Sequence, residues 1–153
     1  MAQGTVEDIA GRIFRGVHFI DDSTGWVVGG ERAITSVHKE KNVGYRGRGF
    51  ILQTTDGGKS WRRPPGTEGL LTCEMCPGLL NVHFVDEKTG WVLGALGTAF
   101  STSDGGESWT RRPGVAEVDG GGSNPTAGLW SFDADTAIAC TNSGIEKHEP
   151  GFF

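Results

Sequence analysis

Three groups of side chains in this chain have types and spacings that could carry chemistry. The first is Cys73-Glu74-Met75-Cys76, two thiols three positions apart. Thiolates at that spacing supply half of a tetrahedral zinc site, which needs four ligands. Cys140, His18, His38, His83 and His148 are the available completions, and none stands at a recognisable ligand spacing. A redox pair would open a helix, whose N-terminus lowers the thiol pKa. This pair instead precedes Pro77-Gly78 in a linker. The expectation is a local disulfide or two free thiols, with no metal. The second group lies between residues 32 and 49. There Arg32, Lys39, Lys41, Arg46 and Arg48 oppose only Glu40, in a chain whose net charge is -5, and His38 and the single tyrosine, Tyr45, lie among them. Such a stretch would recognise a carboxylate, a phosphate or an acidic protein surface. The plainer alternative is a solvated hairpin with ordinary surface charge. The third group is a pair of carboxylates, Asp56 and Asp104, in near-identical settings: TTDGGKSW at 54–61 and TSDGGESW at 102–109. Catalysis or metal binding by this pair would require the two to converge. Residues in equivalent places of a repeat sit on different sheets, and packed sheets lie about 10 Å apart. By the same argument His18 and His83, also repeat equivalents, are not expected to share a metal.

The elements that must position these groups follow from the repeat. Residues 17–29 read VHFIDDSTGWVVG and residues 82–94 read VHFVDEKTGWVLG. A weaker third copy, LWSFDADTAIACTNSG, begins at Leu129 and aligns Phe132, Asp133 and Thr136 with Val85, Asp86 and Thr89. Each copy has the grammar of four short antiparallel strands, A to D. In the second, VHFV is strand A, a polar turn follows, GWVLG is strand B, TAFSTS is strand C, and strand D follows Asp104-Gly105-Gly106. Asp-Gly between strand-like runs is a strong hairpin signal, because the glycines supply positive φ without steric cost. A tryptophan five residues on packs back over the hairpin. A period near 47 residues with four strands per unit marks a β-propeller blade. The chain has 26 glycines and five tryptophans in 153 residues. That composition points to short strands and many turns, and the aromatics argue against disorder. No apolar run approaches the roughly 20 residues of a membrane helix. The first residues, MAQGTVED, lack the charged and apolar regions of a signal peptide. The acidic net charge, and a basic stretch with no aromatic stacking platform, argue against nucleic acid as a partner.

The two Asp-Gly-Gly segments fit the Asp-box pattern, Ser/Thr-x-Asp-x-Gly-x-Ser/Thr-Trp, also called the BNR repeat. With the preceding F-[IV]-D-x-x-x-G-W-V-[VL]-G frame, the chain resembles the photosystem II stability and assembly factor family over about residues 13–145. That resemblance implies a seven-bladed propeller fold, a protein partner such as an assembling reaction-centre subunit, and an exported setting: periplasmic, thylakoid-lumenal or extracellular. It also implies a structural role for Thr54, Asp56, Gly58, Trp61, Ser101, Asp104, Gly106 and Trp109, and for Trp26 and Trp91. Asp-boxes also occur in sialidases, sortilin-type receptors and glucan hydrolases. A sialidase site would need three clustered arginines and a tyrosine nucleophile with a glutamate. Here only Tyr45 is on offer, and no carboxylate pair stands out for glycoside hydrolysis. There is no Gly-x-Ser-x-Gly elbow and no phosphate-binding loop.

The expectation is therefore an all-β chain of about two and a half propeller blades. Residues 1–16 form an N-terminal segment, with Ile9, Ile13 and Phe14 able to lend a closing strand. Residues 17–66 form blade one, with a basic B–C insertion at 32–49. A linker with Cys73 and Cys76 spans 67–81, blade two spans 82–113, a Gly-rich linker spans 114–128, and a partial blade spans 129–153. Within the last, Gly151-Phe152-Phe153 reads as the start of strand C after a charged insertion at 145–150. Three accounts compete for the missing blades: a fragment of a longer frame, closure as a homo-oligomer if the chain is complete, or an open array capped by its N-terminal segment. The expected function is a non-enzymatic scaffold without catalytic residues or cofactor. It would bind a protein with an acidic surface through Arg32, His38, Lys39, Lys41, Tyr45, Arg46 and Arg48. The alternatives are a carbohydrate-binding or glycan-cleaving propeller and a secreted repeat domain without chemistry. The A–B and C–D turns are short, and length collects on the opposite face, which is where binding loops are expected.

Overall fold

The computed structural model describes residues 12–31, 49–67, 78–94, 98–112, 128–141 and 144–148. They form three antiparallel sheets in chain order. The first holds β1 (Arg12–Phe19), β2 (Gly25–Glu31) and β3 (Gly49–Thr54). A single bridge from Gln53 to Arg62 begins a fourth line beside β3. The second holds β4 (Leu79–Phe84), β5 (Gly90–Gly94), β6 (Ala99–Thr102) and β7 (Thr110–Arg111), a complete four-stranded meander. The third holds β8 (Gly128–Ser131), β9 (Ala137–Thr141) and β10 (Gly144–His148). Strands β1, β4 and β8 pack against one another in succession. The architecture is all-β, a series of propeller blades short of a closed propeller.

Two sequence expectations need correction. Ile13 and Phe14 are not part of a separate closing strand. They belong to β1 and pair with Gly30 and Gly29, and a bulge between Phe14 and Gly16 keeps the strand continuous into Val17-His18-Phe19. Ile9 lies outside the described residues. The charged stretch read as an insertion in the third unit is itself strand C. β10 carries Ile145-Glu146-Lys147-His148, paired with Cys140 back to Ala137. Alternation was weak there because charged residues share the strand with one large apolar side chain, so the period-2 signal did not register. Gly151-Phe152-Phe153 lies outside the described residues.

Side chains alternate between the two faces of each sheet. In the second sheet Val82, Phe84, Val92 and Phe100 are buried and join a cluster with Trp26, Val28 and Phe50 of the first. On its other face Trp91, Leu93 and Ala99 pack with Ala137, Ala139 and Leu129 of the third. The second sheet is thus one layer with two apolar faces, one against each neighbouring blade.

The Gly-Trp pair at the head of strand B has a steric cause. Phe19 lies directly across from Gly25, and Phe84 from Gly90. A Cβ on Gly25 would sit 2.6 Å from the Phe19 ring, and one on Gly90 2.5 Å from the Phe84 ring. The ring lies flat over the glycine and takes the space a side chain would need. The third repeat changes both members together: Ser131 replaces the phenylalanine, and its cross-strand partner is Ala137. With no ring to clear, the alanine fits and is almost fully buried.

This coupling is measurable. Gly90→Ala alone should cost about 1–3 kcal/mol by overpacking. Phe84→Ser alone should cost more, by removing a buried ring. The double variant, copying the third repeat, should be at least about 1 kcal/mol more stable than the sum of the two losses. Urea unfolding midpoints of the four proteins check this, and strict additivity would refute the pairing.

Candidate functional site

The A–B turns are built on one aspartate each. Asp21 Oδ1 accepts the backbone N–H of Ser23 at 2.7 Å and of Thr24 at 2.6 Å. Asp86 Oδ1 accepts those of Lys88 and Thr89, both at 2.7 Å. Asp133 Oδ1 accepts those of Asp135 and Thr136, both at 2.7 Å. The same closure appears in all three repeats: Ile20, Val85 and Phe132 each donate a backbone N–H to the carbonyl of the threonine four residues on. The third copy, weak in sequence, is therefore the same turn in space.

The C–D turns are built on a second aspartate. Thr54 Oγ1 donates to Asp56 Oδ1 at 2.8 Å and accepts the Gly58 N–H at 2.9 Å, while the Ser60 N–H donates to Asp56 Oδ1 at 2.9 Å. The second copy repeats the bonds. Thr102 donates to Asp104 at 2.8 Å and accepts the Gly106 N–H at 2.9 Å, and the Ser108 N–H donates to Asp104. The residue equivalent to Thr54 is thus Thr102, not Ser101. Ser101 lies one position earlier, on the opposite face of β6, and its Oγ accepts from Arg112 Nε at 2.8 Å. Gly57, Gly58, Gly105 and Gly106 all have φ between 72° and 92°, the region an L side chain rarely enters. Trp61 and Trp109 are half-buried and meet the strand-A phenylalanine of their own blade edge-on, Phe19 at 6.3 Å and Phe84 at 6.2 Å.

These bonds set the electrostatics of the turns. Hydrogen bonds from Ser60, then Thr54, pull Asp56 down to about 2. A bond from Ser23 lowers Asp21, and one from Lys88 N–H lowers Asp86. At Asp104 partial desolvation opposes ionisation, yet Ser108 and Thr102 hold its pKa below the ordinary carboxylate value. Carboxylates saturated by donors stay ionised and are poorly suited to proton transfer near neutrality.

The A–B and C–D turns of a blade meet on one face: the Gly57 N–H donates to Ser23 O, and the Gly105 N–H to Lys88 O. Between the first and second blades this face holds an open cleft of about 460 Å³. Its charged rim is mixed, with Arg62 and Lys88 beside Glu87, Asp104 and Glu107. Arg62 is braced by the side chain of Gln53. Arg112 crosses from the second blade to the third. It donates to Ala134 O at 2.9 Å, forms an ion pair with Asp135 at 2.7 Å, and its guanidinium lies over the Trp91 ring.

A row of rings runs along the inner strands. His18 and His83 have ring centroids 4.3 Å apart, and His83 and Trp130 also 4.3 Å. Repeat-equivalent positions on these inner strands are thus in ring contact, because β1 and β4 pack directly against each other. His18 Nε2 is 2.8 Å from Phe84 O. The Ser131 N–H points at His83 Nδ1 at 3.2 Å, and Ser131 Oγ lies 2.7 Å from the same nitrogen. Among the described residues no group of three or more His, Cys, Asp or Glu could hold a metal ion. This row was missed in the sequence. Its signal was the alignment of His18, His83 and Trp130 at one repeat position.

The sequence-predicted binding residues Arg32, His38, Lys39, Lys41, Tyr45, Arg46 and Arg48 lie outside the described residues, as do Cys73 and Cys76. Cys140 is a free, exposed thiol. No helix among the described residues is long and apolar enough to cross a membrane.

Comparison with known proteins places this geometry. No family model matches the chain. Photosystem II stability/assembly factor HCF136, chloroplastic, of Arabidopsis thaliana, is 39% identical over 62 residues, which cover 35% of this chain and 14% of that protein. A solved structure described as YCF48 bound to D1 peptide superposes with a TM-score of 0.62 at 23% identity, covering 91% of this chain and 38% of the other. YCF48 from Cyanidioschyzon merolae superposes with a TM-score of 0.56 at 21% identity, over 92% of this chain and 35% of that one. The chain thus spans well under half the length of each. The likeness to photosystem II stability/assembly factors expected from the motifs is found in sequence, and the blade fold is shared with the solved structures.

The inner row predicts a pH response. Burial first, and the neighbouring His18 second, push His83 down to about 4 from its ordinary 6.5. The folded state favours the neutral ring, so this stability is complete above pH 6.5 and is lost as pH falls toward 4. The turn carboxylates, whose pKa values are lowered, lose theirs only below their ordinary value near 3.8. Between pH 7 and 4.5 the melting temperature should therefore fall in the wild type and stay flatter in His83→Gln. Parallel slopes in the two proteins would show that His83 does not carry the effect.

Proposed function

We propose that this chain is a non-enzymatic β-propeller scaffold that binds a protein partner, in the manner of a photosystem II assembly factor. The observation that carries the reading is the conjunction of two likenesses. The sequence match is to a protein named as a photosystem II stability/assembly factor. The fold match is to a relative described as bound to a D1 peptide. The chemistry of the turns agrees. Asp21, Asp56, Asp86, Asp104 and Asp133 are spent on turn hydrogen bonds. Arg62 and Arg112 are held by Gln53 and Asp135.

The partner is proposed to have an acidic surface and to dock on the long-loop face through the basic stretch. Arg32, Lys39, Lys41, Arg46 and Arg48 supply the charge, and His38 and Tyr45 the adaptable polar contacts. The blades at 17–66 and 82–113 and the partial blade at 129–153 would act as a rigid base for these loops. Rigid sheets bearing variable loops are a common way to build a recognition surface.

The test uses a D1-derived peptide and, separately, an acidic peptide of scrambled sequence, with binding read by fluorescence anisotropy. Binding should weaken at least about tenfold in Arg46→Glu/Arg48→Glu and should fall with added salt. Replacing 32–49 by a minimal turn should abolish it while the circular dichroism and the melting temperature hold. Binding that survives this replacement would move the partner to another face. Turnover of a sialoside or β-glucan by the purified chain would overturn the non-enzymatic reading.

A further inference from the structure

The two blade junctions carry equivalent braces. In each, an arginine that follows the C–D turn donates to the strand-C residue lying across from the tryptophan of strand B. Arg112 Nε donates to Ser101 Oγ at 2.8 Å, and Ser101 pairs with Trp91. Arg62 Nη2 donates to Gln53 Oε1, and Gln53 pairs with Trp26. From its brace Arg112 reaches the A–B turn of the next blade and takes the carboxylate of Asp135 at 2.7 Å. In that turn Asp133 accepts the N–H groups of Asp135 and Thr136, and in the second blade Asp86 accepts those of Lys88 and Thr89. Lys88 therefore occupies the turn position that Asp135 occupies one blade later. The first junction keeps the arginine and has a second cation where its neighbour has the acid.

That exchange falls on the open cleft between the first and second blades, which Arg62, Lys88 and Gln53 all line. Among the described residues neither Arg62 nor Lys88 forms an ion pair. Lys88 is near enough to Asp86 to help lower its pKa, but that carboxylate is bound by its own turn. Gln53 is only 5% exposed. Its amide oxygen is taken by Arg62, and its amide N–H groups find no acceptor among the described residues. A donor so nearly buried ordinarily has a partner. The cleft's walls belong to two adjoining blades and are tied together at the back, where the Gly66 N–H donates to Gly106 O at 3.2 Å.

We propose that this cleft binds the carboxylate of a ligand, which takes at Arg62, Lys88 and the Gln53 amide the role that Asp135 fills at the next junction. A guanidinium and an ammonium make charge-assisted bonds to such a group, and the planar guanidinium matches its geometry. Glu87 and Glu107 on the rim set the limit. Their charge opposes a dianion such as phosphate and suits a ligand with one carboxylate. The volume of about 460 Å³ lies within the range of small-ligand sites. Two sources present this group: a free small acid, and the acidic side chain of an extended peptide segment. The cleft is on the face of the A–B and C–D turns, opposite the face proposed above for the protein partner, so the two sites stand or fall separately.

The test is an NMR titration of the full chain at low salt, following the Gln53 side-chain amide and the Arg62 Nε–H signals. The probes are butyrate, the capped peptide acetyl-Gly-Glu-Gly-amide, and inorganic phosphate. A saturable shift is expected with a carboxylate probe; the peptide alone marks the acidic side chain as the source, and butyrate alone the free acid. Lys88→Gln and Arg62→Gln should each weaken binding at least about threefold, and Lys59→Gln, a charge change outside the cleft, should leave it unchanged. Lys88→Asp should abolish it, because it supplies Arg62 with the acid that Arg112 already has. The turn accepts an aspartate there, as Asp135 beside Asp133 shows, and circular dichroism certifies the fold of each variant. No saturable shift with either carboxylate overturns the proposal. So does phosphate binding as tight as theirs, a Lys88→Asp chain that binds like the wild type, or an equal loss in Lys59→Gln.

Discussion

The Phe84 ring holds the first two blades together. It lies across Gly90 on its own sheet, so close that the glycine has no room for a methyl group. Its other face is covered by Trp26 of the preceding blade, with parallel planes and centroids 3.6 Å apart. Its edge meets Trp109, which the second C–D turn brings back over the sheet. One aromatic side chain therefore links strand A, strand B, the Asp104 turn and the neighbouring blade. Remove it and the reason for Gly90, the seat of Trp26 and the anchor of Trp109 all go. The stack has a cost. Trp26 is fully buried, and its indole N–H finds no acceptor among the described residues. An unmade bond of that kind costs about 1–3 kcal/mol. The ring contact and the buried area offset it.

The next junction solves the same problem with different forces. Ser131 stands where the phenylalanine would be, so Trp91 has no ring to lie on. Its indole N–H instead donates to Asp133 O at 2.7 Å. Arg112 then covers the Trp91 ring and ties the second blade to the third through Ala134 O and Asp135. The glycine requirement lapses and Ala137 takes the place. Two substitutions that look like decay of a repeat, Ser131 and Ala137, are one coordinated change, from an aromatic stack to a hydrogen-bonded and ion-paired joint. The His83–Ser131 contact belongs to it, since it needs the small serine.

Much of this was legible in the residues. The strands and turns of the second blade, the pairing of A–B with C–D turns and the structural use of Asp56 and Asp104 all follow from local grammar. Asp-Gly-Gly demands positive φ, whereas the close approach of Phe84 to Gly90 emerges only from the strand register. What was not legible depends on how neighbouring blades sit. The sequence puts His18 and His83 at one repeat position on neighbouring blades, and only the packing of β1 on β4 brings their rings into contact. β10 was misread because its charged residues break the apolar alternation that marks a strand. Thr102 was displaced to Ser101 by one position, an error that reverses the face of the sheet.

The same logic explains why fold and function separate so sharply here. The residues that repeat are those every blade needs, and they are consumed in making it. Asp21, Asp86 and Asp133 close one turn, Asp56 and Asp104 close the other, and the donors around them leave little free valence for a ligand. The residues that differ from blade to blade are those these turns do not consume. The cations of 32–49 occur once, and so does Trp130. Repetition therefore marks the scaffold: what recurs is what each blade consumes in folding.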